Sequence, residues 1–201
     1  MKLGMVFEGG ASRTIFSCGV ADAFLEENIM PDYFIGVSAG IAFGLSYLSK
    51  QHGRNLELAR KYMSDGNYQG FKFLFDKNRK TFYNLDYVFD EVPNKLLPFD
   101  YDAFAAFPGQ VEAAVTNIHS GKAEYLEVPR DSSSMSVIEA SCALPVFFKP
   151  VQKKSSFLHP YASHSHALLS VRQLPYRSPA LMPSQMERRF LLHYIGVIRI
   201  S

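Results

Sequence analysis

The sequence predicts an α/β fold with a mainly parallel central sheet, because two successive strands each run into a helix. Lys2 to Phe7 is an apolar strand-length run followed by a glycine turn, and Thr14 to Asn28 has helical periodicity. A second strand, Tyr33 to Ile35, leads into an apolar helix from Ile41 to Leu48. Such strand–helix repeats form parallel sheets with right-handed crossovers. In the first helix the apolar residues expected to face inward are Phe16, Val20, Ala21, Phe24 and Leu25.

The bulk composition suits one globular domain with a buried core. The chain has 201 residues, of which 47% are hydrophobic and 20% charged. The longest nearly apolar run, Ile35 to Leu48, is too short for a membrane span, and the N-terminus lacks the pattern of a signal peptide. Cys18 and Cys142 form no C-x-x-C pattern, so we expect two core thiols and a reduced, cytoplasmic setting.

A Gly-x-Ser-x-Gly motif stands where the second strand meets its helix. It comprises Gly36, Val37, Ser38, Ala39 and Gly40. A strand that turns abruptly into a helix strains its middle residue, and the glycines on either side let neighbouring backbone pass close by. Ser38 would then stand at the top of the sheet, above the positive end of the helix. The motif indicates a nucleophile elbow with Ser38 as nucleophile and Gly36 and Gly40 as supporting residues.

A glycine turn follows the first strand, in the sequence Glu8-Gly9-Gly10-Ala11-Ser12-Arg13. Because the carboxyl ends of parallel strands share one edge of a sheet, this turn and Ser38 should be neighbours. The N–H groups of Gly10 and Ala11 would then point at an oxygen on a carbon bonded to Ser38, as an oxyanion hole requires. Arg13 opposes the helix dipole, so we expect a backbone carbonyl or an acid such as Glu8 to hold it.

A phosphate-binding role for the glycine turn is the weaker interpretation. The dinucleotide fingerprint requires G-x-G-x-x-G, whereas the matching positions here are Gly9, Ala11 and Thr14. No G-x-x-x-x-G-K-[ST] motif occurs either. We therefore expect no nucleotide or other cofactor and no metal site.

Together these motifs resemble the patatin-like phospholipase family. The resemblance is carried by the glycine turn, by residues 32–40 around the elbow, and by residues 140–150, which are similar to a family helix ending in a proline–aromatic–proline segment. It extends to about Val151. It implies a three-layer α/β sandwich, here incomplete at its C-terminal side, and hydrolysis of lipid acyl esters.

The resemblance also implies the roles of individual residues. Ser38 would be the nucleophile, and Gly9, Gly10 and Ala11 would form the oxyanion hole, with Ala11 in place of the family's third glycine. The family's base is an aspartate in a D-G-[GA] motif, with no histidine. That motif should follow the proline segment within a short hairpin, yet Asp131 is the last aspartate of this chain.

The charge balance changes after Pro150. Up to that residue the chain has 14 Lys and Arg against 18 Asp and Glu, and from Val151 onward it has 7 against 1. The later segment contains one glycine and no sustained period of 2 or 3.6. A basic tail suits nucleic acid or anionic lipid. We expect instead a partial patatin-like domain at residues 1–151, an atypical tail at 152–201 that is out of frame or disordered, and no nucleic-acid partner.

Aromatic residues are dense from Tyr68 to Phe107, with basic residues interleaved in FKFLFDKNRK. This pattern suits a lipid interface or a fatty-acyl groove beside Ser38, although rings packed beneath a long connection are the commoner arrangement. The partners expected are a lipid or fatty-acyl ester and peripheral contact with a membrane. The oligomeric state is left open.

Three functions therefore compete. The favoured one is a lipid acyl hydrolase with a Ser-Asp dyad, as the resemblance implies. The second is a Ser-Asp-His hydrolase, whose candidate bases are His159, His164, His166 and His193. The third is a catalytically dead remnant that retains the Ser38 pocket and binds acyl lipid or nothing. An elbow directly after the second strand disfavours an ordinary α/β-hydrolase, in which several strands precede it.

Overall fold

Parallel strands form the centre of the molecule. The computed structural model describes residues 2–75, 82–117, 119–143, 151–153, 156–159 and 195–200. Two parallel pairings join the first three strands in the order β3-β2-β1, and the fourth runs antiparallel to β3. These strands are β1 (Lys2–Phe7), β2 (Tyr33–Val37), β3 (Gln110–Asn117) and β4 (Ala123–Glu127). This mixed, mainly parallel four-stranded sheet with its helices confirms the predicted α/β fold.

Three further strands come from the segment after Pro150. They are β5 (Val151–Lys153), β6 (Ser156–His159) and β7 (Ile195–Ile200). The first two form a hairpin whose second strand pairs antiparallel with the end of β3, and β7 pairs antiparallel with the whole of β1. Parts of the predicted atypical tail therefore extend the sheet, and the remainder of that tail lies outside the described residues.

Helices connect the strands, and several are short. The chain forms a 3-10 turn at Ala11–Thr14, α1 (Ile15–Glu26), α2 (Ala39–Leu48), α3 (Arg54–Glu57) with a π-helical turn at Leu58–Tyr62, α4 (Phe71–Leu74), a π-helical segment at Tyr87–Leu96, α5 (Tyr101–Ala105) and α6 (Ser134–Cys142). The predicted elements of the first fifty residues all occur. Within the described ranges, no helix combines the length and the apolar character needed to cross a bilayer.

Both faces of the sheet are buried. Alternate strand residues point to opposite faces. The first face packs against helices α1, α2 and α6 through Met5, Phe7, Phe34, Val111 and Ala113. The second face carries Val6, Ile35, Val37 and Ala114, which form a separate buried cluster. Burial of both faces is what a three-layer α/β arrangement requires.

The inward face of α1 differs from the prediction at its start. Phe16 is 44% exposed, so the expectation that it faces inward is wrong. Ala21 is buried and Val20, Phe24 and Leu25 pack against the core, as predicted. Thr14, Ser17 and Cys18 are also buried, and they share one stripe with Ala21 at helical spacing. These small side chains let α1 lie close against α2, and the larger Phe16 falls beside that stripe.

Candidate active site

The backbone of Ser38 is strained where β2 turns into α2. Its φ is 51° and its ψ is −125°, a conformation that residues with a side chain rarely adopt. Ser38 is also the N-cap residue of α2, so its carbonyl accepts the first hydrogen bonds of the helix, from the N–H groups of Ile41 and Ala42. The positive end of α2 therefore lies beneath the serine, as the predicted elbow requires.

The two glycines of the motif allow close backbone contacts. A Cβ on Gly36 would stand 2.5 Å from the nitrogen of Ile41, and a Cβ on Gly40 would stand 2.3 Å from the carbonyl oxygen of Phe7. Real Cβ atoms do not approach backbone so closely. The first turn of α2 is thus pressed against the ends of β1 and β2 at these two glycines.

The glycine turn after β1 lies beside the elbow. A Cβ on Gly9 would stand 2.9 Å from the carbonyl oxygen of Val37 and 3.0 Å from the Cβ of Ser38. Ala11 has a φ of 50° and shares the lining of one cavity with Ser38. The N–H groups of Gly10 and Ala11 donate to no other described residue. The structure therefore brings together the residues named for the oxyanion hole.

Arg13 lies in the 3-10 turn but is exposed. Its Nε is 3.6 Å from the position that a Cβ on Gly10 would take. That a backbone carbonyl or an acid such as Glu8 holds its guanidinium stays a prediction. Arg13 thus flanks the glycine turn from the solvent side.

A buried serine on α6 fixes the backbone of the elbow. The Oγ of Ser141 accepts a hydrogen bond from the Ser38 N–H at 2.9 Å and donates one to the Ala114 carbonyl at 2.8 Å. Ser141 thereby joins α6, the elbow and β3, which are distant in sequence. Sequence reasoning missed this role, although Ser141 stands within the segment that resembles the family helix.

The next residue on α6, Cys142, lines the same cavity as Ser38. Burial raises the pKa of this thiol to about 12, although the interaction with Ser38 acts in the opposite direction. A thiol with so high a pKa stays protonated at neutral pH and is no base. Cys142 therefore belongs to the wall of the site, whereas the sequence suggested simple core packing.

An apolar cavity of about 410 Å³ opens beside Ser38. Its volume is typical of a small-molecule site. The walls come from the glycine turn, α2, the π-helical segments and α6, and the aromatic side chains among them are Phe43, Tyr68, Tyr83, Phe89 and Phe99. Burial raises the pKa of Tyr68, so this phenol remains neutral in the cavity wall. Part of the dense aromatic stretch thus faces the cavity, while Phe104 and Phe107 pack in the core.

No carboxylate or imidazole occurs among the described residues that line this cavity. Asp131 is exposed before α6 and accepts a hydrogen bond from the Ser133 N–H, which together with the Ser133 hydroxyl lowers its pKa. His119 lies in the turn between β3 and β4. Across the described ranges, no group of three or more His, Cys, Asp or Glu side chains could hold a metal ion.

Comparison with known proteins defines the class. A patatin-like phospholipase family model matches residues 5–161. The chain therefore belongs to the patatin-like phospholipase family. It is also similar to the uncharacterised protein YjjU of Escherichia coli (strain K12), with 24% identity over 162 residues that cover 74% of this chain and 42% of YjjU. The chain thus spans less than half the length of that relative.

Proposed function

We propose that this chain carries a serine acyl hydrolase site for fatty-acyl esters of lipids. The observation that carries the proposal is the strained backbone of Ser38 in the lining of a largely apolar cavity. A backbone held in a conformation costing about 1–3 kcal/mol is characteristic of functional sites. The family supplies the general chemistry, ester hydrolysis, and the apolar wall suits a fatty-acyl chain.

The chemistry would be acyl transfer in two steps. The Ser38 oxygen attacks the ester carbonyl carbon, the hydroxyl proton passes to the leaving alcohol, and an acyl-serine forms. Water then cleaves the acyl-serine and releases the fatty acid. The Gly10 and Ala11 N–H groups would stabilise the oxyanion in both steps. The Ser38 N–H is not available for this purpose, because it already donates to Ser141.

The proposed mechanism also needs a general base that takes the proton of the Ser38 hydroxyl. The family's D-G-[GA] aspartate does not occur after Asp131, and the described cavity wall supplies no acid or imidazole. Of the four late histidines, His159 alone falls in the described ranges. Its backbone pairs with Thr116 at the carboxyl end of β3. Ser38 lies at the same edge of the sheet, because β2 is parallel to β3. A chain with no base would bind acyl lipid and turn it over slowly, which is the second candidate function.

The test combines covalent labelling with turnover. A fluorophosphonate should label the purified chain at one site, Ser38→Ala should abolish labelling, and Ser136→Ala, an exposed serine on α6, should not. Because a general base contributes about 10² to 10⁴-fold, the chain should hydrolyse a p-nitrophenyl ester at least about a hundredfold more slowly than a version with a D-G-G-bearing family segment after Val151.

Each result has one meaning. Absence of labelling in a folded chain would refute Ser38 as a nucleophile and leave acyl-lipid binding. Turnover at the rate of the repaired version would show that a base exists in the natural chain. Loss of that turnover on His159→Ala, His164→Ala, His166→Ala or His193→Ala would favour the Ser-Asp-His hydrolase. Turnover that is indifferent to all four would show that another residue is the base.

A further inference from the structure

One face of α2, beginning at Ser38, lines the apolar cavity. Ser38, Ala42 and Leu45 all line it, at the spacing of one helix face. Phe43 and Ala39 widen the same wall. An acyl chain bonded to Ser38 would therefore extend along α2, with the π-helical segments covering it from the other side.

Arg54 lines the same cavity and contacts α2 near the C-terminal end of that helix. Its Nη1 donates to the Ser46 Oγ at 3.1 Å, and its Nη2 donates to the Leu97 carbonyl at 2.7 Å. Its Nε donates to the Pro98 carbonyl at 3.4 Å, and its guanidinium lies 5.5 Å from the centre of the Phe99 ring. One side chain thus ties α2 to the segment after Leu96.

Both Arg54 and Phe99 line the cavity, so this tie is part of its wall. Burial lowers the pKa of Arg54 to about 10, and the side chain remains charged at neutral pH. A charged group held by three acceptors resists displacement by a methyl end, because leaving those acceptors unpaired is costly. The wall formed by Arg54 and Phe99 is therefore a firm stop for an alkyl chain.

The distance from the serine to this stop follows from helix geometry. Ser46 comes eight residues after Ser38, which corresponds to about 12 Å along α2. An extended chain advances about 3.6 Å over three backbone bonds, so about 12 Å accommodates about ten bonds. About ten bonds, counted from the Ser38 oxygen, reach the tenth carbon of an acyl chain, with the carbonyl carbon as the first. The guanidinium occupies part of that distance and reduces the number to about eight.

We propose that Arg54, backed by Phe99, sets the acyl-chain length that this site accepts, with a limit of about eight to ten carbons. The inference rests on the proposed function, since it takes Ser38 as the point of acyl attachment. Ala42 lies at about half that length from Ser38. A larger side chain at Ala42 should therefore shorten the accepted chain, and removal of the Arg54 side chain should lengthen it.

The experiment measures how fast p-nitrophenyl alkylphosphonates with chains of four to sixteen carbons label Ser38. The natural chain should react fastest near eight to ten carbons. Ala42→Leu should slow the ten-carbon reagent at least about tenfold relative to the four-carbon reagent, because a few methylenes are then excluded. Arg54→Ala should raise the relative rate of the fourteen- and sixteen-carbon reagents by at least about tenfold. Arg60→Ala, an exposed arginine nearby in the chain, should keep the natural profile.

A second measurement separates failure of this proposal from failure of the proposed function. Saturated fatty acids of six to sixteen carbons are tested for displacement of a fluorescent fatty acid from the Ser38→Ala chain, which needs no reactive serine. If no phosphonate labels Ser38, the nucleophile assignment fails, and the binding profile still tests the length limit. Labelling or binding that rises steadily to sixteen carbons in the natural chain would overturn the proposal, even if Arg54→Ala did not fold. An unchanged profile in folded Arg54→Ala would overturn it as well.

Discussion

Replacing Ser38 by glycine should stabilise the protein while destroying its proposed chemistry. The φ of 51° and ψ of −125° at Ser38 are close to the mirror image of an extended conformation, which glycine adopts as readily as the extended form itself. Serine and alanine both carry a Cβ and are strained there. Ser38→Ala is therefore the matched control, because it removes the hydroxyl and keeps the strain.

The magnitude follows from two opposing contributions. Relief of the strained conformation should contribute about 1–3 kcal/mol, whereas the greater flexibility of glycine in the unfolded chain costs about 0.5–1 kcal/mol. We therefore expect Ser38→Gly to be about 1–2 kcal/mol more stable than Ser38→Ala. For a chain of this size, that difference corresponds to a rise in Tm of about 2–4 °C per kcal/mol.

Thermal unfolding of the two variants, followed by calorimetry or circular dichroism under identical conditions, measures the difference. Both variants should fail to react with a fluorophosphonate, so that activity and stability are separated in one pair of proteins. A Ser38→Gly chain that melts below Ser38→Ala would show that the backbone at this residue is unstrained. The argument from the elbow to a functional serine would then lose its physical basis.

Two other perturbations concern α6. Ser141→Ala removes a hydrogen-bond partner from the Ser38 N–H and from a buried carbonyl, so it should cost about 1–3 kcal/mol of stability and slow phosphonate labelling of Ser38. Ser136→Ala on the same helix is the control. Equal effects of the two substitutions would refute the role of Ser141. The raised pKa of Cys142 predicts slow alkylation by iodoacetamide at pH 8. The rate in the folded chain should be at least about a hundredfold lower than in urea, where the pKa of the thiol returns to about 8.5. Mass spectrometry of timed samples measures both rates, and rapid alkylation of the folded chain would contradict the prediction.

The local parts of the site could be predicted because each is specified by a few adjacent residues. Gly36, Ser38 and Gly40 define a strand-to-helix turn by their spacing alone, and Gly9 follows a strand of the same direction. Parallel strand direction then places both turns at one edge of the sheet, which is a property of topology and not of side-chain detail. The nearness of Gly9 to Ser38 was thus a consequence of two short patterns.

Contacts between segments that are distant in sequence could not be predicted from local sequence patterns. The hydrogen bond from the Ser38 N–H to Ser141 depends on how α6 packs over β3, and no periodicity contains that information. The contact of Arg54 with the Leu97 carbonyl is of the same kind. Phe16 was misassigned because its spacing from Val20 fits the inward stripe, and only the packing of α1 in the fold leaves it 44% exposed. Tertiary packing decided each of these cases.

The pairing of β1 with β7 has a consequence for the order of events during synthesis. Lys2 is paired with Ile200 and Phe7 with Ile195, so this side of β1 stays unpaired until a segment far along the chain has been made and has folded back onto it. Until then the N–H and C=O groups along this side of β1 are open to strands of other nascent chains. Strands that are so far apart in sequence also pair slowly, because the chain between them must first close into a loop. A chaperone that covers exposed strand edges should therefore raise the yield of folded protein.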